Sequence, residues 1–330
     1  MTSLLVRRPR RLGPRRPGVG RRAPIAAPRA VLLAALIAAL LAALGASGLL
    51  SGCATAGRTE IAAQWYELGD AWLDKGDWKK AGQAYSQALR LEPGLAAASF
   101  NMARALTEAG DYPAALRMLD TLASKDPGNI RVLSARAYVF YKKGDAAAAL
   151  KAYDAVVALD PYAPDAVYNS ALLRFAAGRD KRAAADLQRL LAYKPDDTQS
   201  LLLLGRVEES LGDEAAAVDA YEKLKLLGKA DGFALEHLGL LYEKQRRYAD
   251  AMAALDAATK VDPKRDRAWF ALARLRLVVA DDGPGGLDAL KRALDAGFSD
   301  KKAAEALVAE PGLPELEKIA ASLKGKGLIP

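Results

Sequence analysis

The chain has 330 residues and a formal net charge of +8, so its length allows one to three ordinary domains. The charge is uneven: residues 1–30 hold nine Arg and no Asp or Glu, which leaves 39 of the 48 Lys and Arg against 40 carboxylates. The body is therefore close to neutral, and nucleic acid is not expected as a partner. A single Cys and a single His exclude an internal disulfide framework and argue against a zinc site. An apolar fraction of 52% with only 7% aromatics predicts many slender helices rather than one large core.

Residues 1–52 have the layout of a secretory signal peptide. The arginine-rich segment 1–30 is followed by fourteen consecutive apolar residues, Val31–Leu44, and then by small residues up to Gly52. A basic segment followed by a short apolar stretch and small residues is typical of exported proteins. We therefore predict that residues 1–52 are removed.

The end of this segment, Leu50-Ser51-Gly52-Cys53, resembles the bacterial lipobox. The resemblance implies that Cys53 carries a diacylglycerol, that cleavage occurs just before it, and that the new N-terminus is acylated. Cys53 as a buried apolar residue is a weaker interpretation, because its neighbours are Ser, Gly and Ala. An uncleaved anchor over the uncharged stretch 30–57 is another alternative, since it is long enough to span about 30 Å. Its glycines cluster at one end, which favours cleavage.

The residue after the lipobox cysteine is Ala54. In Gram-negative lipoproteins an Asp at this position favours retention at the inner membrane. The resemblance therefore implies an outer-membrane lipoprotein that faces the periplasm, and anchoring at the inner membrane is the alternative.

From Ile61 onward the sequence repeats with a period of 34 residues, which indicates a repeat architecture. Proline recurs at 93, 127, 161 and 195 and again at 263, with Lys229 at the skipped site. Glycine recurs at 76, 110, 144, 178 and 212, followed by Asp except at Arg179. Two series of small residues accompany them: Gly69, Ala103, Ala137, Ala171, Gly205, Gly239 and Ala273; and Ala81, Ala115, Ala149, Ala183, Ala217 and Ala251.

Each period predicts a pair of helices. The Gly can end the first helix in the left-handed conformation, and the following Asp can cap the second. The Pro cannot continue that second helix. Small residues allow the two helices to approach closely, and stacking of neighbouring pairs supplies the core.

This pattern resembles the tetratricopeptide repeat family. The first repeat carries it most fully, in Trp65, Leu68-Gly69, Trp72, Ala81, Tyr85 and Pro93. The resemblance implies an all-α, right-handed α-solenoid of about seven repeats over residues 62–299. Residues 53–61 are expected to be a lipidated tether, and residues 300–330 to form capping helices at 301–310 and 314–323 with a short tail. The sixth and seventh repeats depart from the pattern, with Arg246-Arg247 and Ala280-Asp281 in place of Gly-Asp.

Catalytic chemistry is not expected. The sequence has no glycine-rich phosphate loop, no H-E-x-x-H and no nucleophile motif. His237 lies within a predicted helix and is interpreted as a packed structural residue, and the repeated aspartates have a capping role. We therefore expect a protein without catalytic residues, cofactor or metal site.

Family resemblance places partner binding on the first helix of each repeat, which lines the concave groove. The predicted groove combines aromatic and arginine side chains: Tyr66, Phe100, Arg104, Arg131, Tyr138, Tyr141, Tyr168, Phe175, Arg206, Phe233, Phe270 and Arg274. Aromatics with Arg are typical of contact hot spots. Alternatively, the aromatics fill the inside of a tightly coiled superhelix.

One known subclass of the family holds a C-terminal peptide carboxylate with a clamp of two Lys, two Asn and one Arg. Asn101 matches one clamp position and Arg131 stands near another, but Tyr66, Asp70 and Ala135 replace required residues. The added carboxylate of Asp70 would repel the ligand, so this mode of binding is rejected.

The expected function is a membrane-anchored scaffold that binds envelope proteins or peptide segments in its groove. Lipoproteins of this layout serve pilus and secretin assembly, outer-membrane protein insertion, or recruitment of cell-wall hydrolases. A second hypothesis is a glycan- or small-ligand-binding solenoid, in which the aromatic side chains would hold sugar rings.

Overall fold

A computed structural model describes residues 51–330, with side chains from Gly57 onward. Sixteen α-helices and no strand occur in this part of the chain, which confirms the all-α prediction. The first five are α1 Ser51–Lys75, α2 Trp78–Leu91, α3 Ala96–Glu108, α4 Tyr112–Lys125 and α5 Ile130–Lys142. They are followed by α6 Ala146–Leu159, α7 Pro164–Ala176, α8 Asp180–Tyr193, α9 Thr198–Leu211, α10 Glu214–Leu226 and α11 Gly232–Lys244. The last five are α12 Tyr248–Val261, α13 Asp266–Val278, α14 Gly283–Ala296, α15 Lys301–Val308 and α16 Leu316–Gly325.

The described residues form two compact units, an N-terminal unit up to Asp145 and a C-terminal unit from Ala146 to Pro330. In each, consecutive helices pack against one another, and first helices of neighbouring repeats also meet: α1 with α3, α3 with α5, α7 with α9, and α11 with α13. These first helices share a surface within each unit, which we call the first-helix face. Each unit is thus a stretch of α-solenoid.

The predicted helix terminators are confirmed. Gly76, Gly110, Gly144, Gly178 and Gly212 all have φ between 68° and 88°, the left-handed region that ends a helix. The carboxylates of Asp77, Asp111 and Asp213 each accept a backbone N–H bond from the residue three positions on, at 3.0–3.1 Å. Pro93, Pro127, Pro161, Pro195 and Pro263 each lie two residues beyond the end of a second helix.

The two series of small residues lie where helices touch. All six alanines from Ala81 to Ala251 are fully buried, as are Ala103, Ala137, Ala171 and Ala273. The glycines are needed where the opposite side chain is large: a Cβ at Gly69 would lie 2.4 Å from Tyr85 Cε1, and one at Gly205 would lie 2.5 Å from Tyr221 Cε1. In these repeats the glycine of the first helix therefore leaves the space that the tyrosine ring of the second helix fills.

The two C-terminal helices cover the end of the stack, as expected. Leu307 of α15 and Ile319 and Leu323 of α16 are fully buried, and Leu328 in the tail is 5% exposed. All four belong to the same core cluster as the buried residues of α13 and α14. The final repeat thus has its apolar surface covered by non-repeat helices.

The structure differs from expectation in two connections. Helix α1 begins at Ser51, so the segment 53–61 that was predicted as a tether is helical and continuous with the first repeat. At the site without a proline, α10 ends at Leu226, and Gly228 has a φ of 63°. Lys229 N then bonds Leu224 O at 2.9 Å, so a glycine closes this helix where proline does so elsewhere.

The predicted signal peptide up to residue 50 and the side chain of Cys53 lie outside the described residues. Cleavage and acylation therefore stay predictions. Among the helices described, none is both long and apolar enough to span a bilayer.

Candidate functional site

In the N-terminal unit, Tyr66 and Arg104 of the first-helix face meet around a buried amide. Asn101 donates from Nδ2 to Tyr66 Oη at 3.1 Å and to Asp70 Oδ1 at 2.8 Å, and accepts from Arg104 Nη1 at 3.3 Å. Tyr85 donates its hydroxyl to the same Asp70 oxygen at 2.5 Å. Burial, reinforced by Asp70, raises the pKa of both tyrosines. Both the nitrogen and the oxygen of the Asn101 amide therefore bond other side chains of the protein. This gives a physical reason why Asn101 does not bind a peptide carboxylate as the clamp would require.

Phe100 and Arg131 form a second contact on this face. The guanidinium of Arg131, on α5, lies 4.8 Å from the centre of the Phe100 ring, on α3. Arg131 is exposed whereas Phe100 is half-buried. A guanidinium over a ring face gains cation–π attraction while its outer edge stays available to an acidic group.

Tyr138 and Tyr141 lie near the end of α5, with ring centres 6.2 Å apart. Tyr138 donates its hydroxyl to Glu108 Oε1 at 2.8 Å, and Lys142 Nζ pairs with Glu108 Oε2 at 3.2 Å. Burial raises the pKa of Tyr141. Sequence reasoning missed Glu108 and Lys142, although their separation of one period places opposite charges on neighbouring first helices.

In the C-terminal unit, five side chains form what we call the Arg206 cluster: Phe175, Arg206, Phe233, His237 and Arg265. The Arg206 guanidinium lies 5.5 Å from the ring of Phe175 and 5.6 Å from that of Phe233. Arg265 lies 5.5 Å from Phe233 on α11, and the His237 ring stacks on Phe233 at 4.0 Å. Three successive first helices, α7, α9 and α11, therefore contribute to one continuous surface, and Arg265 at the start of α13 extends it.

His237 is held from below by Glu209. Its Nδ1 lies 2.9 Å from both carboxylate oxygens, and Tyr221 donates its hydroxyl to Glu209 Oε1 at 2.6 Å. Burial opposes ionisation of Glu209, but the hydrogen bonds from His237 and Tyr221 outweigh it and lower its pKa. The packed, structural role predicted for His237 agrees with this geometry, since the imidazole bridges a carboxylate and a phenyl ring.

A shallow depression of about 300 Å³ adjoins this cluster. The rings of Phe233 and His237 line it together with three basic and three acidic residues: Lys264, Arg265, Arg267, Glu236, Asp262 and Asp266. Arg265 pairs with Glu236 at 2.9 Å and with Asp262 at 3.5 Å. Such an open surface with charges of both signs can contact a polypeptide segment.

Three residues predicted to line the groove instead make contacts within the protein. Tyr168 is 9% exposed and belongs to a core cluster with Leu172 and Leu187, and Phe270 is 6% exposed. Phe270 stacks face to face on Phe298 at 4.0 Å. For these two rings the packing alternative is the correct one, because neighbouring helices cover them. Arg274 pairs with Glu243 at 2.5 Å.

A second depression, of about 380 Å³, lies on the first repeat between Trp65, Trp72, Lys80 and Gln83. The ammonium groups of Lys75 and Lys80 lie 4.9 and 4.4 Å from the centre of the Trp72 ring. Within the described residues, no group of three side chains is arranged to hold a metal ion.

Stacked helical hairpins with a polar and aromatic first-helix face define an α-solenoid repeat protein of the kind that binds other proteins. Residues 57–167 match the family model for the TPR domain of cytochrome c-type biogenesis protein H, and residues 168–232 and 232–275 match two further tetratricopeptide repeat models. These consecutive matches cover residues 57–275, and the chain therefore belongs to the tetratricopeptide repeat family.

Several solved structures share the fold. PilF of Pseudomonas aeruginosa is 17% identical, with a TM-score of 0.55 over 64% of this chain and 96% of that one. YrrB, a tetratricopeptide protein with an unusual peptide-binding site, is 18% identical, with a TM-score of 0.51 over 57% of this chain and 96% of that one. A tetratricopeptide protein from Parabacteroides merdae is 19% identical, with a TM-score of 0.50 over 75% of this chain and 98% of that one.

A curated relative, the heat-shock protein cognate co-chaperone sgt12 of Aspergillus fumigatus, is 25% identical over 170 residues, 47% of this chain. The chain spans about half the length of that relative, 49%.

Proposed function

We propose that this protein is a lipid-anchored tetratricopeptide scaffold of the bacterial cell envelope, which gathers partner proteins by binding segments of them on its first-helix face. The observation that carries the proposal is the Arg206 cluster. It brings half-buried guanidinium groups and aromatic rings from successive repeats together on one surface, a composition enriched at protein contact sites. A segment with acidic and aromatic side chains would complement it.

The envelope location is supported by the sequence: a basic segment, an apolar run and a lipobox that ends at the single Cys of the chain, Cys53. With two or three acyl chains, each buried CH₂ would contribute about 0.8 kcal/mol, so attachment would be effectively permanent. Ala54 favours the outer membrane, with the solenoid in the periplasm and the inner membrane as the alternative.

Among the comparisons, the name of one matched family model supports a search for a role in assembly. The matched family model is named for cytochrome c-type biogenesis protein H, and PilF and YrrB share the fold. We would search for partners in the machinery of four processes: pilus or secretin assembly, outer-membrane protein insertion, recruitment of cell-wall hydrolases, and cytochrome c biogenesis. The proposal includes no catalytic activity.

Photo-crosslinking in cells tests the proposal. A crosslinking amino acid replaces Phe175 or Phe100 on the first-helix face, and Arg117, an exposed residue of α4, serves as the matched control on a second helix. We expect the two face positions to capture a defined envelope protein that the control position does not. Arg206→Ala should reduce capture at position 175, because it removes the guanidinium between Phe175 and Phe233.

The competing outcome is a glycan-binding protein. Saturable binding of envelope sugars, abolished by Phe175→Ala and Phe233→Ala, together with no protein crosslink from the face positions, would replace the scaffold by a carbohydrate-binding role.

A further inference from the structure

Exposed apolar side chains line one edge of the C-terminal unit, where each second helix ends and the chain turns into the next repeat. We call this the turn edge. Its exposed members are Leu159, Tyr162, Tyr193, Leu226, Leu227 and Val261. Leu226 is 85% exposed, the highest value among the exposed large apolar residues described. Single exposed apolar residues are common on protein surfaces, but a row at equivalent positions of successive repeats is not a random scatter.

The period of the sequence creates this row. Leu159, Tyr193, Leu227 and Val261 are separated by 34 residues each, so they occupy the same place in consecutive helical hairpins. The rings of Tyr162 and Tyr193, from two successive turns, lie 4.9 Å apart. The equivalent positions of the N-terminal unit differ: Leu91 is half-buried, and position 125 is a lysine. The apolar turn edge is therefore a property of the C-terminal unit.

The lysines of this edge are exposed. The exposed lysines on and beside the turns are Lys194, Lys223, Lys225, Lys229, Lys260 and Lys264. Three of these lysines lie at the end of α10 and in the turn that follows it, around Leu226 and Leu227. The sequence from residue 223 to 229 is Lys-Leu-Lys-Leu-Leu-Gly-Lys.

Most acidic groups of the same turns are engaged with the backbone or with a cation. Asp160 accepts from Tyr162 N at 2.9 Å, Asp197 from Ser200 N at 3.1 Å and Asp231 from Ala234 N at 2.9 Å. Asp262 accepts from Lys264 N at 3.2 Å, and Asp256 pairs with Lys260 at 2.5 Å. Asp196 is exposed, and Glu222 accepts from the Tyr242 hydroxyl. A hydrogen bond does not neutralise a carboxylate, so the edge as a whole carries charges of both signs. Its lysines are concentrated at the end of α10, where Lys223, Lys225 and Lys229 surround the exposed Leu226 and Leu227.

We propose that the turn edge of the C-terminal unit rests on the surface of an anionic phospholipid bilayer. Protruding apolar side chains one repeat apart insert into a fluid interface without matching pockets, whereas a folded protein partner would need a pocket for each. Tyrosine rings suit the boundary between headgroups and acyl chains. Lysines beside them contribute attraction to anionic lipids.

This inference goes beyond the proposed scaffold function and does not need acylation at Cys53. An acyl anchor would only raise the local concentration of the edge at the membrane. With its turn edge on the bilayer, the first-helix face of the same unit would stay available for protein partners, since the two surfaces involve different ends and faces of the helices.

A local fluorescence measurement on the full chain tests the proposal. In a Cys53→Ser background, which removes the only native thiol, Leu226→Cys carries an environment-sensitive NBD label. Leu211→Cys, at the end of the first helix α9 and 37% exposed, carries the same label as a control. A local label is the right readout, because the apolar run 31–44 can bind vesicles by itself.

We expect the label at position 226 to shift to the blue and brighten with vesicles that contain phosphatidylglycerol, and to change little with pure phosphatidylcholine. The label at position 211 should stay at its aqueous emission. Replacing Lys223, Lys225 and Lys229 by Gln should raise the lipid concentration at half-maximal signal by about 100-fold, because each lysine near an anionic surface contributes about fivefold. Replacing Lys79, Lys143 and Lys151 by Gln changes the net charge equally and should have little effect.

Three results would overturn the proposal: an aqueous emission at position 226 when the chain is bound to vesicles, an equal shift at position 211, or equal sensitivity to both lysine triplets. A shift at position 226 that appears only with added envelope protein, and not with lipid, would assign the turn edge to a protein partner instead. Failure of the first-helix crosslinks leaves these outcomes unchanged, so the two proposals can fail separately.

Discussion

Gly205 and Tyr221 show how single residues set the spacing between helices. A Cβ at Gly205 would lie 2.5 Å from Tyr221 Cε1, and the ring cannot swing away easily because its hydroxyl is bonded to Glu209 at 2.6 Å. We predict that Gly205→Ala lowers the free energy of unfolding by about 1–3 kcal/mol through overpacking. Gly82→Ala is the control: with nothing within 4 Å of its Cβ in α2, it should stabilise by about 0.5–1 kcal/mol. Thermal unfolding of both variants compares them, and equal effects would contradict the packing argument.

Arg174 holds two carboxylates within the C-terminal unit. Its side chain, 7% exposed, pairs with Asp154 at 2.5 Å and Asp186 at 2.9 Å. In Arg174→Met the carboxylate of Asp186, which is 15% exposed, would keep only its ion pair with Arg189 at 3.1 Å. We predict that the free energy of unfolding falls by an amount near the lower end of the range of about 3–5 kcal/mol that is typical when a buried ion pair loses one partner.

The matched control is Arg292→Met, which breaks an exposed pair with Asp288 at 2.8 Å and should cost less than about 1 kcal/mol. Urea titrations followed by circular dichroism measure both. Similar losses for the two variants would mean that burial does not govern the strength of the Arg174 pairs.

Glu209 makes stability depend on pH. The hydrogen bonds from His237 and Tyr221 lower its pKa in the folded protein despite its burial. A carboxyl with a lowered folded pKa contributes stability that is present above its unfolded pKa, near 4.3, and is lost as pH falls through the folded value. The destabilisation caused by Glu209→Gln should therefore be largest at neutral pH and shrink below about pH 4. Urea midpoints between pH 7 and pH 3 test this, and a difference that grows toward acid would contradict the assigned cause.

At the scale of helices, the repeat pattern predicted most of the fold because each terminator has a local physical cause. Glycine at the five predicted sites has positive φ, and the 34-residue prolines mark the turns. In the later repeats Arg246 and Asp281 take the same left-handed conformation, with φ of 59° and 52°. Arg has no preference for this conformation and Asp only a modest one, so packing of the helix pairs accounts for it.

The sequence predicted which helices form the candidate site, but only some of the side chains that are accessible on it. Tyr66, Phe100, Tyr168 and Phe270 share one repeat position, yet the first two are half-buried and the last two are buried. Phe270 is covered by Phe298, which belongs to none of the repeated residue series, so periodicity could not reveal it. Likewise, His237 and Glu209 come together across two helices, and a single period does not separate them.

Helices α15 and α16 should be necessary for the stability of the C-terminal unit. They bury Leu307, Ile319 and Leu323 completely, and each such side chain contributes about 1.5–3 kcal/mol by burial. We predict that a chain ending at residue 299 unfolds at lower temperature and aggregates, because the apolar end of α13 and α14 becomes exposed.

A milder variant, Ile319→Ala, should cost about 2–5 kcal/mol without aggregation. Differential scanning calorimetry and light scattering measure both variants. A truncated chain as stable as the full one would show that α15 and α16 are not a cap.

At the scale of the whole molecule, we propose a repeat scaffold that is held at a membrane by its N-terminus. The proposed roles lie on different parts of the chain: protein binding on the first-helix faces, bilayer contact on the turn edge, and anchoring at the lipobox. Anchoring at Cys53 is the claim on which the envelope role depends most directly.

Intact-mass analysis and membrane fractionation of the native protein, beside Cys53→Ser, test this claim. We predict a native chain that starts at Cys53, carries added acyl mass and sediments with the outer membrane, whereas the Cys53→Ser chain is neither cleaved nor acylated there. A native chain that retains residues 1–52 and has an unmodified Cys53 would contradict the lipoprotein assignment and would place the protein at the inner membrane as an uncleaved, anchored solenoid.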